Sequence, residues 1–439
     1  MRERADRIRV AAFAAALAIA ACSLLAGRGD GGAVAAPAHE SGLECLHDQR
    51  SGAAGGTSTF VLTARTGTIT APDGNTVFMW GYASGRGAYQ YPSPTLCVTE
   101  GDRVTVVLRN TLPEDVSITF PGQEGVTANG APSAPVTEAG RITSLAPPAA
   151  KDSGVATYSF VAGRPGTFIY ESGTDQGKQV QMGLFGAIVV RPKDHADQAY
   201  GAQTAFAPDR EYLMLLSDID PDMHAAVEHG RAFDLRDMRP HYWMVNGRSF
   251  PDTIAPNGAS WLPHQPYGAL ARLQPFDPAA NPRPALIRYL NVSTKSHPFH
   301  PHGNHERIIA RDGAELRGAG GEDLSSEHFT DVVGPGQTLD ALAIWTDVEH
   351  WDPVSNPIPV KDPTLQDLLF KDGATYYSGS PYLGHRDDLP VGTTAFNQCG
   401  EYYHVMHSHA LDEVTNFGAA MGGMLTLERI DPPSPNRCP

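Results

Sequence analysis

Short runs in which apolar and polar residues alternate fill most of the chain from about Thr57 onward. Examples are LCVTEGDRVTVVLRN and ATYSFVAGRPGTFIY early in the chain, and ALIRYLNVS, DALAIWTD and GGMLTLERI later. Alternation with a period of two, punctuated by Gly, Pro and Asp, is typical of half-buried strands joined by turns. The pattern predicts an all-β protein built from antiparallel β-sandwiches. The frequent turn formers agree with this, since the 439 residues include 45 Gly and 36 Pro.

The alternating runs fall into two blocks, which predict two sandwich domains at residues 57–194 and 210–432. Residues 195–209 separate the blocks and are predicted to form a linker. Residues 348–398 are rich in Pro, Asp, Gly and Tyr and interrupt the second block. We expect them to form a long surface insertion in the second domain, because stretches of this length without alternation are rare inside a sandwich.

The amino terminus has the composition of an export signal. Residues 1–21 begin with an arginine-rich segment and continue as AAFAAALAIAA, which is too short to span a membrane comfortably. The sequence Ile19-Ala20-Ala21-Cys22 resembles a bacterial lipobox, in which the cysteine is lipidated; the alternative is a plain signal peptide cut at a small residue. Residues 22–56 are small, polar and Gly-rich, which predicts a tether. We therefore expect an exported bacterial protein, either periplasmic or anchored to the outer membrane as a lipoprotein.

Charge and cysteine content narrow the function further. The 33 basic and 49 acidic residues give a net charge of −16, which argues against nucleic acid as a partner. Four cysteines follow Cys22, and an even number in an exported protein favours disulfides. Three pairings are possible. We favour Cys45–Cys97 with Cys399–Cys438, because each pair then stays within one half of the chain.

Histidines cluster in the second block. None of the 17 lies between His47 and His195, whereas seven lie in the segments HPFHPHGNH and HVMHSH. In a strand, residues two apart share a face, so His300 and His302 point one way, and so do His407 and His409. Two such pairs on neighbouring strands would bring four imidazoles to one point. That arrangement predicts a transition-metal site.

These motifs resemble those of the multicopper oxidases, the laccase-like family of cupredoxin-domain enzymes. HPFHPHGNHERIIARDG is similar to their HPxHxHG motif, and EYYHVMHSHALDEV is similar to their C-terminal HCH strand. LCVTEGDRVTVVLRN and GTFIYESGTDQGKQVQMGLFGAIVVRP resemble strands of their first domain. The resemblance implies two cupredoxin-like Greek-key β-sandwich domains, copper as the cofactor, and a small-molecule reductant with O2 or peroxide as partners.

The departures from the family motifs are as informative as the matches. The family's HWHG is replaced by Thr119-Phe120-Pro121-Gly122, and its HSH by Glu171-Ser172-Gly173, so all four first-domain copper ligands are absent. Ser408 replaces the cysteine of HCH, and Glu413 stands where the second histidine of the type 1 site would fall. The resemblance therefore implies that no blue copper site forms there. Cys399 could replace the missing thiolate. A disulfide is the favoured role for Cys399, because this residue precedes the strand.

The metal site is predicted in the second domain. Four imidazoles are better suited to binding one metal ion than three metal ions. We therefore expect one copper ion, or at most a pair. His297 matches the family's remaining type 1 ligand, and it is expected to serve either as an accessory ligand or as a hydrogen-bonding group that supports the ligands. Either His305 or His404 could complete the coordination. Zinc competes for the same ligands, but the affinity order and the resemblance favour copper. The predicted ligands are His297, His300, His302, His407 and His409.

Two acidic residues are candidate catalytic groups. The resemblance places Glu171 on the first-domain wall of a cleft that faces the copper, where it would bind metal or move protons; the alternative is a salt bridge to an arginine. Glu413 and its neighbour Asp412 could donate protons, form hydrogen bonds to the metal ligands, or simply be solvated.

The function that fits best is a divergent copper-dependent oxidoreductase. The alternatives are a non-catalytic protein for copper binding, storage or tolerance, and a structural sandwich whose histidines no longer bind metal. The chain has no dense Met/His run of the kind expected in a copper carrier, which favours the oxidoreductase. The missing type 1 centre argues against ordinary laccase activity on phenols, and the oligomeric state is left open.

Overall fold

The computed structural model describes residues 42–46, 56–346, 402–418 and 421–431. Strands form most of the regular structure in these ranges, so the all-β prediction is confirmed. In the described ranges, no helix has the length and hydrophobicity needed to cross a membrane. The predicted signal peptide, most of the tether and the insertion at 348–398 lie outside the described residues. The two domain boundaries remain predictions.

The first block contains two sheets that face each other. One has the strand order β2-β1-β4-β9-β5-β6 and the other β10-β11-β3, while β7 and β8 form a separate hairpin. Their shared core includes Phe60 and Val106 from the first sheet, and Tyr170 and Ile188 from the second. The strands are β1 (Thr57–Thr70), β2 (Thr76–Ser84), β3 (Leu96–Thr99), β4 (Arg103–Asn110), β5 (Thr127–Ala128), β6 (Ala131–Pro132), β7 (Val136–Glu138), β8 (Arg141–Ser144), β9 (Val155–Val161), β10 (Gly166–Glu171) and β11 (Phe185–Arg191), with a short helix α1 (Gln176–Gln179).

The second block repeats this plan. One sheet has the order β13-β12-β15-β21-β17-β18, with β19 also on β17, and the other has the order β14-β23-β22-β16-β20. Met214 and Tyr289 from the first sheet pack with Phe299 and Met406 from the second. The elements are β12 (Glu211–Ile219), α2 (Pro221–Glu228), β13 (Tyr242–Val245), β14 (Ala271–Leu273), β15 (Ala285–Asn291), β16 (His297–Pro301), β17 (Glu306–Arg311), β18 (Ala314–Glu315), β19 (Ser326–His328), β20 (Asp331–Val333), β21 (Thr338–Ala343), β22 (Tyr402–Ser408) and β23 (Leu425–Ile430), with a 3₁₀ turn at Leu411–Val414.

The strands follow the alternation of the sequence, but the sheets are not purely antiparallel. In β4, the side chains of Val104, Val106 and Leu108 are buried while the residues between them are partly exposed. Each of the four large sheets nevertheless includes one parallel pair: β1 with β4, β11 with β3, β12 with β15, and β14 with β23. The prediction of antiparallel sheets is wrong here, because strand alternation reports which face is buried but not the direction of the neighbouring strand.

A buried arginine ties the two blocks together. Arg288 on β15 is fully buried, and its guanidinium donates to Glu211 Oε1 at 2.8 Å and to Thr167 Oγ1 at 3.0 Å. Thr167 lies on β10 of the first block, and its hydroxyl in turn donates to Asp340 Oδ1 at 2.6 Å. Ile169 on the same strand packs in one hydrophobic cluster with Leu290 of β15. A buried cation paired with the carboxylates of Glu211 and Asp340, together with an apolar contact, fixes the first block on the second.

Cys45 and Cys97 form a disulfide, as the sequence predicted. The bond attaches the described segment 42–46 to β3, and Leu46 also forms a parallel bridge with Leu96. The second predicted pair, Cys399–Cys438, lies outside the described residues.

Two glutamates lie buried between the sheets of the second block, which the sequence analysis did not anticipate. Glu306 on β17 accepts hydrogen bonds from the hydroxyl of Tyr289, and burial raises the pKa of Glu306 to about 8. Burial and the nearby Glu306 also raise the pKa of Glu428 on β23, whose carboxyl oxygens have no hydrogen-bond partner among the described residues. Both groups are therefore held in the neutral form at neutral pH.

We predict that this buried pair makes the protein less stable as pH rises. Above the ordinary pKa of 4.5 the unfolded chain releases the Glu306 proton, while the folded chain keeps it up to about pH 8. The stability that the protonated Glu306 contributes is therefore fully present below pH 4.5, and it is lost progressively as pH rises toward 8. Glu306→Gln should flatten this dependence and raise Tm at pH 8 by at least about 3 °C in thermal unfolding of the metal-free protein.

The control is Glu327→Gln, because Glu327 is exposed on β19, the neighbour of β17. It should leave the pH dependence of Tm unchanged. Equal curves for the parent and Glu306→Gln would contradict the assignment of a neutral buried carboxyl.

Candidate metal centre

The pairing of β16 with β22 brings the two histidine clusters together. The strands are antiparallel, and His300 lies directly opposite His407, with Pro301 opposite Met406. Since side chains alternate along a strand, His300 and His302 share one face with His407 and His409. The strand pairing therefore places the two HxH pairs on the same face of the sheet.

Three imidazoles meet at one point. The Nε2 atoms of His302 and His407 are 3.0 Å apart, and one ring nitrogen each of His300, His302 and His407 lies within 4.8 Å of the others. Metal–nitrogen bonds of about 2 Å place two ligand nitrogens on one ion roughly 3 Å apart. The spacing of His302 and His407 thus fits two ligands of a single ion, with His300 as the third.

The far nitrogens of two rings are held by carbonyl oxygens. Nδ1 of His407 donates to the carbonyl oxygen of Ser408 at 2.7 Å, and Nδ1 of His300 donates to that of Phe329 at 2.5 Å. A carbonyl oxygen can only accept, so both rings carry their proton on Nδ1 and present the lone pair of Nε2. Contacts of this kind orient metal-binding imidazoles in known metal sites.

The charges in the cluster favour neutral rings. Burial, followed by the neighbouring imidazoles, lowers the pKa of His302 to about 4. Burial is also the main cause that lowers the pKa of His407. Neutral imidazoles can bind a metal at neutral pH without first losing a proton.

His409 lies beside the group of three rather than within it. Its ring centroid is 5.1 Å from that of His300 and 5.6 Å from that of His407, and the side chain is exposed. Among the described residues, the convergent group consists of His300, His302 and His407. His409 thus stands at the solvent side of the group.

The structure does not bring His297 to the other imidazoles. His297 lies on the interior face of β16 with no solvent exposure, and both ring nitrogens are engaged: Nδ1 is 2.6 Å from Glu413 Oε2, and Nε2 is 2.5 Å from Ser293 Oγ. Glu413, predicted as a catalytic group, is buried with it and also accepts a hydrogen bond from Ser408. The alternative that Glu413 is merely solvated is wrong, because only 2% of it is exposed.

Two further histidines also lie off the metal face. His404 has an unbroken register opposite Glu428 on β23, so no bulge intervenes and its side chain points away from the face of His407. It is buried, and its ring packs on Trp345 with centroids 4.8 Å apart. The ring of His305 lies against Phe329, 5.8 Å between centroids. Neither histidine belongs to the convergent group of three.

Glu171 lies at the end of β10 in the first block. Its carbonyl oxygen accepts from the Thr119 amide at 2.8 Å, its carboxylate accepts from Gln176 at 3.3 Å, and burial raises its pKa. Gly173 lies against the Thr119 side chain, and Thr119 pairs with Glu171, so these three residues are neighbours. Within the described part of the chain, Glu171 forms neither a hydrogen bond nor an ion pair with any imidazole of the cluster, nor a salt bridge with an arginine. The cleft that would face this wall toward the metal remains a prediction.

The sequence analysis missed the residues that hold His300. Phe329 and Thr330 lie in the loop between β19 and β20, and both supply an acceptor within 2.8 Å of His300 Nδ1. Phe329 acts through its backbone, which any residue could supply. No sequence signal marks such a position.

A comparison with known proteins matches the first block to a family. Residues 64–195 match the family model described as "Multicopper oxidase". The chain is thus similar to the multicopper oxidases over this block. Its fold is similar to that of the blue copper oxidase from Nitrosomonas europaea, with a TM-score of 0.56, 18% identity and coverage of 85% of this chain and 86% of that one. The multicopper oxidase mgLAC matches with a TM-score of 0.55, the same identity and the same coverage.

The curated sequence relatives match this chain over only part of its length. Laccase-24 of Oryza sativa subsp. japonica is 25% identical over 269 residues, which covers 58% of this chain and 38% of that protein. A protein of Kuenenia stuttgartiensis, described as "Probable nitrite reductase-hydroxylamine oxidoreductase fusion protein", is 25% identical over 230 residues, covering 51% of this chain and 22% of its own length. The chain thus spans less than two fifths of the curated relatives that it matches. Copper is the cofactor of the multicopper oxidases, and the three imidazoles are a donor set that suits it.

We predict that metal affinity depends unequally on the histidines of this face. His302→Ala or His407→Ala should weaken Cu²⁺ binding by at least about 100-fold, because each removes a nitrogen from the convergent group. His409→Ala should weaken it by less than about 10-fold, since its ring lies outside that group. Competition with a chelator of known affinity measures each constant, and Zn²⁺ binding is measured in parallel.

His328→Ala is the control, because His328 is exposed on β19 and contacts Ser326. It should bind copper like the parent. A loss in His409→Ala as large as that in His302→Ala would show that His409 is a full ligand and that the group of three is incomplete.

Proposed function

We propose that the protein holds a single copper ion on His300, His302 and His407 and acts as an exported copper-dependent oxidoreductase. The observation that carries this proposal is the 3.0 Å separation of the two Nε2 atoms of His302 and His407, with His300 converging on them. The relation to multicopper oxidases supports copper over zinc, and so does the affinity order of divalent metals.

The protein side chains preorganise the site. The carbonyl oxygens of Phe329 and Ser408 fix the rings of His300 and His407, so their Nε2 atoms face the metal position without reorientation. Neutral imidazoles leave the charge of the ion uncompensated. Bound copper would supply one-electron redox chemistry, which multicopper oxidases use between a reductant and O2. The exposed His409 marks the side from which a small reductant, O2 or peroxide would enter.

A single ion is supported by the supply of ligands. The sequence has no histidine between His47 and His195, so the first block brings none to a shared cluster. His297 has both ring nitrogens in hydrogen bonds, and Ser408 replaces a thiolate ligand. Among the described residues, one group of three potential ligands converges. Three imidazoles are too few for three ions.

We predict that copper-loaded protein carries about one copper per chain and lacks an intense blue thiolate band. Metal analysis measures the stoichiometry, and optical and electron paramagnetic resonance (EPR) spectra report the ligand type. Three or four coppers per chain, or a strong blue colour, would contradict the proposal, because either requires ligands beyond the three imidazoles.

Turnover decides between the two candidate functions. The loaded parent should oxidise small reductants or consume peroxide, His407→Ala should lose that activity, and Glu171→Gln tests the predicted role of the opposing wall. Tight copper binding by the parent without turnover would favour a storage or tolerance protein. One observation supports this alternative. In the described ranges, no second group of potential metal ligands converges.

We also propose that the chain is exported and anchored through a lipid on Cys22, on the strength of the segment Ile19-Ala20-Ala21-Cys22. Cells that express the parent should incorporate labelled palmitate into the protein, and Cys22→Ser should abolish the label. Ser23→Ala, which alters the neighbouring residue alone, should keep it. An unlabelled parent cleaved at a small residue would indicate a plain signal peptide instead.

A further inference from the structure

On the interior face of the β16–β22 pair, four polar side chains are connected by hydrogen bonds. Glu413 Oε2 accepts from Ser408 Oγ at 2.5 Å and from His297 Nδ1 at 2.6 Å, and Nε2 of His297 lies 2.5 Å from Ser293 Oγ. Ser408 and His297 have no solvent exposure, and Glu413 is 2% exposed. We name Ser408, Glu413 and His297 the brace.

The brace joins the three segments that define the metal face. His297 opens β16, Ser408 ends β22, and Glu413 lies in the 3₁₀ turn that follows His409. The backbone of Glu413 also accepts from the amide of Met424, which precedes β23. The same two strands therefore carry the imidazoles on one face and the brace on the other.

This position makes the brace sensitive to strand register. Phe299 pairs with Ser408 and His300 with His407, so a shift of one residue would move every side chain to the opposite face. The imidazoles would then turn into the interior and the brace would turn out of it. The buried contact between His297 Nδ1 and Glu413 Oε2 forms only in the observed register. The contacts on the interior face therefore select the arrangement in which the imidazoles converge.

We propose that Ser408, Glu413 and His297 are positioning residues for the metal centre: they pin the register of β16 against β22 and so hold His300, His302 and His407 at bonding distance. This inference rests on the proposed copper site for its functional consequence. It assigns a role to the two sequence-predicted site residues that do not lie on the metal face, His297 and Glu413.

The first test uses copper. Glu413→Gln keeps the size of the side chain but removes the charge, and Ser408→Ala removes one contact with less disturbance to the fold. Each should weaken Cu²⁺ affinity by about 10- to 100-fold in chelator competition, the range typical of groups that orient metal ligands. Each should also give a mixed EPR spectrum in place of the parent's single species, because the three nitrogens are no longer held in one geometry.

The matched control is Thr338→Val, which removes a buried hydrogen bond of 2.8 Å to the Thr167 carbonyl on β10 of the first block. It should lower Tm without changing copper affinity or the EPR spectrum. Variants of the brace that lower Tm in the same way, yet keep copper affinity within about twofold and a single EPR species, would overturn the inference and leave a structural role only.

The second test needs no metal and separates this inference from the proposed function. The amide of His302 donates to the Val405 carbonyl and that of His409 to the Pro298 carbonyl, so both report the pairing of the two strands. In metal-free protein, hydrogen exchange at these amides should accelerate at least about 10-fold in Glu413→Gln and Ser408→Ala, and not in Thr338→Val. Unchanged exchange would overturn the register role. A parent that binds no copper, with variants that still show this acceleration, would refute the copper site and leave the brace standing.

Discussion

The register of β16 against β22 is the constraint on which the candidate site depends. Because side chains alternate strictly along a strand, the pairing of His300 with His407 decides at once which residues face solvent and which face the core. Three imidazoles then converge on one face, and Ser408 meets Glu413 on the other. No other arrangement of these two strands satisfies both faces.

The convergence of the imidazoles was accessible from the sequence, whereas the partners that hold His297 were not. HxH pairs separated by about a hundred residues converge if their strands are neighbours, and the alternation rule needs no knowledge of distance. By family resemblance His297 was expected to bind metal. Its partner Glu413 is 116 positions away and reaches it only through the turn at Leu411–Val414, which is a tertiary contact. The loop carbonyl that fixes His300 is a backbone group and leaves no trace in the residue types.

The first block forms a sandwich although it lacks the copper ligands of the family motifs. Alternating apolar positions such as Val104, Val106 and Leu108 build the sandwich whether or not its loops carry ligands. The sequence therefore predicted the strands correctly, and the missing histidines did not alter them. What the alternation left undetermined was the contact between blocks, because Arg288, Thr167 and Asp340 lie on different strands and form their network only after the sheets have packed.

Ser408 stands where the family motif has a thiolate ligand. This replacement affects where electrons would enter the proposed copper site. In the described residues, the position that would hold a second redox centre is filled by hydrogen bonds: Glu413 accepts from both Ser408 and His297, and no nitrogen of His297 is left for a metal. An internal relay through that position is therefore closed. His300 and His302 are half-buried and His409 is exposed, so a reductant can approach the metal face directly. Three neutral imidazoles add no negative charge to a bound ion, whereas a thiolate or carboxylate ligand would add one. A site with these properties is suited to direct exchange with a small molecule at its open face rather than to electron delivery through the protein.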